Sequence, residues 1–71
     1  MVKTMVKTLR ITSNILKCPA CGKNPMRLYG VENHKYWIEC DNSDCPVNPS
    51  TRMYRIRGLD IRDWNNRKFV D

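Results

Sequence analysis

Histidine is almost missing from this chain: His34 is the only one in 71 residues. Phenylalanine occurs once and glycine three times, and no apolar run within residues 1–17 is longer than two. Each scarcity excludes something. One histidine, in a stretch (ENHK) that reads as a turn, makes no Ser/His or Cys/His nucleophile arrangement. Paired carboxylates for acid–base work and a Gly-rich phosphate loop are also missing, so an enzyme is not expected. A secretory signal needs about 7–15 consecutive apolar residues near the N-terminus, and Lys3, Lys7 and Arg10 interrupt that region. Nothing approaches the length of a membrane span, and a cytoplasmic protein is expected. The thin apolar content also means that burial alone will not hold so small a domain. A chain of this length usually needs disulfides, a metal or a partner as a staple.

Acid is missing from residues 1–27, which carry six Lys/Arg. Residues 28–50 set Lys35 against Glu32, Glu39, Asp41 and Asp44, and residues 51–71 are basic again. The formal net charge is +6. It favours polyanions as partners without requiring them.

The chain opens on a tandem MVKT repeat, so Met1 and Met5 are both possible starts, and it is too short a repeat to be architectural. Residues 1–16 read as a basic N-terminal arm, either disordered or an added strand, since Lys7 to Thr12 alternates. Met26–Val31 and Tyr36–Cys40 read as a hairpin, with Tyr36, Ile38 and Cys40 on one face. DNSDCPVNPS is rich in turn formers. TRMYRIR alternates as a third strand, with Arg52, Tyr54 and Ile56 on one side and Met53, Arg55 and Arg57 on the other, ended by Gly58. LDIRDWNNRK suits a short helix with an Asp63/Arg67 pair at helical spacing. Residues 69–71 read as a fraying tail.

The four cysteines follow C-x2-C-x18-C-x4-C at Cys18, Cys21, Cys40 and Cys45. Two ligands from each of two tight turns, joined by a hairpin, supply the tetrahedron that Zn²⁺ prefers. An 18-residue spacer lies within the range of about 15–20 for paired knuckles. Pro19 and Gly22 suit the first turn, and Pro46 follows the second pair. A single redox CxxC would open a helix in a βαβ setting, which this chain does not offer. Rubredoxin-type iron uses similar knuckles, so spacing alone does not separate zinc from iron. The expected fold is a small metal-stapled α+β domain over residues 17–68. It is a zinc ribbon (rubredoxin-like) with a three-stranded antiparallel sheet, a short C-terminal helix and one Zn²⁺, with Fe as the alternative.

CPACG, a hairpin, a second cysteine pair and a terminal Trp64-Asn65-x-Arg67 together resemble the Lar-like restriction-alleviation proteins of phages and prophages. The second knuckle, CDNSDCP, departs from that family's compact CxxCG, and Asp60 stands where its helix usually has Ala. The resemblance implies a small zinc-ribbon accessory protein, in the host cytoplasm if phage-encoded, that binds a host protein or restriction–modification complex. From the residues themselves, Trp64 is expected to bury its ring near the metal loops with an acceptor for its N–H. Asn65 is expected to bond loop backbone, and Arg67 to pair with Asp63 or Asp44. A second functional reading is DNA or RNA binding through Arg52, Arg55 and Arg57, with Trp37 among the interleaved aromatics. A third is an iron or redox module.

Overall fold

The computed structural model describes residues 5–70; the first MVKT copy and Asp71 lie outside the described residues. Three strands and one helix are formed: β1 (Val6–Leu9), β2 (Met26–Gly30), β3 (Lys35–Glu39) and α1 (Leu59–Asn65). The sheet is antiparallel in the order β1-β2-β3. Val6 lies opposite Gly30 and Leu9 opposite Arg27, while Met26 lies opposite Glu39 and Gly30 opposite Lys35. The hairpin turn carries His34 at φ 55, and His34 Nδ1 meets the Tyr29 hydroxyl at 2.9 Å.

The third strand comes from the N-terminal segment, as one of its two expected states allowed. TRMYRIR, expected to be that strand, is not one. Its pairing with β3 is limited to the isolated bridge of Tyr54 to Tyr36 and bonds from Thr51, with Ser50 just before it bridged to Glu39. The reason lies at Thr51. Its N–H donates to the Ile38 carbonyl at 2.9 Å, but its Oγ1 accepts the Ile38 N–H at 3.0 Å. A side chain therefore takes the acceptor position that a ladder reserves for backbone. Between the two bridges this segment advances one residue further than β3 does, which is the count of a bulge. Arg55–Gly58 then turns away toward α1.

Period-2 geometry puts Arg27, Tyr29, Tyr36 and Ile38 on one sheet face, and α1 packs there, against β3. The buried cluster joins Ile15, Cys18, Ile38, Cys40, Cys45 and Trp64, with Ile11, Ile61 and Phe69 around it. Residues 11 and 15 thus belong to the same core as the knuckles. The opposite face buries Leu28 and Trp37.

α1 ends in a Schellman turn. The Arg67 N–H donates to the Trp64 carbonyl (3.1 Å) and the Lys68 N–H to the Asp63 carbonyl (2.8 Å), with Arg67 at φ 60. That left-handed position is normally glycine's. The reversal carries Arg67 off the helical spiral, and the expected Asp63/Arg67 pair does not form. Among the described residues the only ion pair is Arg27–Asp60. Within the expected tail, Phe69 and Val70 both have partners. Phe69 meets Trp64 edge-on at 5.1 Å between centroids, and the Val70 N–H donates to the Ser50 carbonyl at 2.8 Å.

Candidate metal centre

The first knuckle is closed by its own backbone. The Gly22 N–H donates to the Cys18 carbonyl and the Cys18 N–H to the Lys23 carbonyl, both at 2.8 Å. Gly22, at φ 75, makes the reversal that a side chain would strain. The longer second knuckle is folded by asparagines. The Cys45 N–H reaches the Asn42 carbonyl at 2.9 Å. The Asn48 amide donates to the carbonyls of Cys40 (3.1 Å) and Asn42 (2.9 Å). Asn48 itself sits at φ 43, a conformation Asn tolerates better than most residues. Its role was not read from the sequence, where NP pairs look like generic loop.

These turns bring the four sulfurs together, all within 4.8 Å of one another. Cys18 and Cys45 Sγ are 3.9 Å apart, Cys21 and Cys40 Sγ 3.5 Å. A disulfide would require about 2.05 Å, whereas zinc at about 2.3 Å from each of four thiolates puts neighbouring sulfurs about 3.8 Å apart. The cluster is therefore a group that could hold a metal ion, and its donor set is that of a closed site.

The electrostatics match that reading. The Asn48 N–H donates to Cys45 Sγ at 3.3 Å. A backbone hydrogen bond from Lys23, then the Asn42 side chain, lower the Cys21 thiol to about 6. Burial, the largest influence on Cys40, pushes its thiol up to about 12. N–H donors thus favour the thiolate at Cys21, while burial disfavours charge on Cys40.

α1 docks onto this centre through the terminal signature. Trp64 is fully buried, and its indole N–H donates to the Leu16 carbonyl at 2.8 Å. Asn65 spans the same segment, accepting from the Leu16 N–H at 2.9 Å and donating to the Asn14 carbonyl at 2.7 Å. These two residues clamp the strand-to-knuckle segment just before Cys18.

No family model, curated protein or solved structure matches this chain. Among the described residues no helix is long and apolar enough to cross a membrane.

Of the expected binding residues, Trp37 is not exposed beside the arginines. Trp37 is buried, with its indole N–H on Glu39 Oε1 at 3.0 Å; a ring so enclosed offers no open stacking face. Arg52, Arg55 and Arg57 are exposed, but the bulge and turn break the alternation that would align the last two. A different grouping appears instead. Arg52, Arg62, Arg67 and Lys68 line a cleft of about 480 Å³ with Tyr54, Asp63 and Phe69.

Proposed function

We propose that the four cysteines bind one Zn²⁺ as the structural staple of a zinc-ribbon domain, and that the domain is a non-catalytic accessory protein. Its action is restriction-alleviation-like: it modulates a host protein or DNA-processing complex by binding it. The observation that carries the metal reading is the four-sulfur cluster, every sulfur within 4.8 Å of the others. Four thiolates satisfy zinc fully and leave no position for water or substrate, which argues for scaffold over catalysis. When bound, the metal supplies cross-linking of the two knuckles, and the ligands Cys18, Cys21, Cys40 and Cys45 hold it. The resemblance through Trp64, Asn65 and Arg67 supports the accessory role, with Trp64 and Asn65 spent on the scaffold and the charged surface left for partners.

The test has two arms. Chelation of the purified protein is expected to abolish its tertiary circular-dichroism signal, and zinc to restore it. Expression in a restricting host is expected to raise the transformation efficiency of unmodified DNA and leave that of modified DNA unchanged. An unchanged ratio between the two would overturn the restriction-alleviation reading.

A second reading, nucleic-acid binding, is favoured by the cationic cleft.

A further inference from the structure

We propose that the cleft between the 52–54 segment and the end of α1 is a binding site for the phosphodiester backbone of a nucleic acid. Arg52, Arg62, Arg67 and Lys68 are its phosphate ligands. The inference deepens the second reading and does not rest on restriction alleviation.

Four cations and one carboxylate, Asp63, line the cleft. That carboxylate is already engaged, since Asp63 is buried and accepts the Tyr54 hydroxyl. Among the described residues none of the four cations makes an ion pair. Like charges gathered on one concavity repel, and a polyanion relieves that repulsion. Four cations also exceed what one phosphate group neutralises, which favours a chain of phosphates over a single one. Three of the four are arginines, whose planar forks fit phosphate oxygens bidentately.

The walls are fixed by the fold. The Tyr54 backbone is bridged both ways to Tyr36, with N···O distances of 2.9 and 2.6 Å, and the Val70–Ser50 bond (2.8 Å) ties the tail alongside. Arg67 occupies φ 60, where glycine would be unstrained, so an arginine is held at the mouth at a conformational cost. The sequence signal for this site was weak because its cations come from the loop, the helix and the post-helix turn, and no linear pattern joins them.

The experiment uses the zinc-loaded full chain. Fluorescence anisotropy would follow a labelled oligonucleotide of about 12 residues, single-stranded or duplex, across a salt series. Arg62→Gln/Lys68→Gln removes two cleft charges, and Arg55→Gln/Arg57→Gln removes two elsewhere; both leave the cysteines and core intact. Arg52→Gln is a second cleft variant, away from the helix. The cleft double variant is expected to weaken binding roughly tenfold or more and to flatten the salt slope by about two, with Arg52→Gln acting in the same direction and the control changing little. The strand arms show which form the cleft prefers, and preferential binding of either supports the site. Equal losses in the two double variants, no binding by the wild type, or equal affinity for a polyglutamate of matched charge would overturn it.

Discussion

Arg27 and Asp60 form a buried ion pair that ties the middle strand to the helix. Nε lies 2.8 Å from Oδ2 and Nη2 lies 3.3 Å from Oδ1, with the side chains 7% and 0% exposed. The guanidinium also stands 5.5 Å from the centre of the Tyr36 ring. Asp60 has its partner 33 residues away in sequence. Removing one member leaves an uncompensated buried charge. Asp60→Ala is therefore expected to destabilise the zinc-loaded protein by roughly 3–5 kcal/mol. The double variant Arg27→Met/Asp60→Leu is expected to recover most of that loss in urea denaturation.

The indole of Trp64 and the amide of Asn65 hold the segment ahead of the first knuckle. Trp64→Phe keeps most of the ring volume but strands the Leu16 carbonyl, a loss of about 1–3 kcal/mol. Asn65→Ala removes two hydrogen bonds and is expected to cost about the same. Trp64→Ala should cost about 3–5 kcal/mol, enough to prevent folding in so small a domain. Thermal melts of the zinc-loaded variants rank the three.

Tyr54 donates its proton to Asp63, and that hydrogen bond is the main cause raising its pKa above the ordinary 10.0. A raised acid binds its proton more tightly when folded, so its stabilisation is complete below pH about 10 and is lost as pH rises through the folded value. Wild-type stability is expected to fall with alkali more steeply than that of Tyr54→Phe. Parallel curves for the two proteins above pH about 10 would remove Tyr54 from the account.

Arg67 sits at φ 60, so Arg67→Gly is expected to leave stability unchanged or raise it by up to about 1 kcal/mol. The same variant is expected to bind the oligonucleotide more weakly. Urea denaturation and anisotropy on one preparation check both halves.

With Cys40 pushed up to about 12 without metal, zinc must displace protons as it binds. Calorimetry in buffers of different ionisation enthalpy is expected to show proton release that diminishes as pH rises. A proton count of zero at neutral pH would contradict thiolate ligation.

The parts of this fold visible in the sequence are those set by local chemistry. CPACG carries its own turn, and the Met26–Glu39 hairpin follows from alternation around a turn-forming ENHK. Trp64 stands out because a tiny core has few large side chains to choose from, and Asn65 through the terminal pattern that carries the resemblance. The parts that were hidden depend on partners distant in sequence. TRMYRIR alternates as well as any strand, yet Thr51 Oγ1 takes one acceptor position and β1 supplies the third strand instead. Arg27–Asp60 and the Arg52–Lys68 cleft join segments that no spacing rule connects. Trp37 shows the same limit: its burial is decided by the far sheet face, beyond the reach of composition.

The most direct test of the central claim is zinc K-edge X-ray absorption on the purified protein. A structural four-cysteine centre predicts one zinc per chain with four sulfur neighbours at about 2.3 Å and no oxygen or nitrogen shell. A mixed shell, or a protein that retains its fold without bound metal, would contradict it.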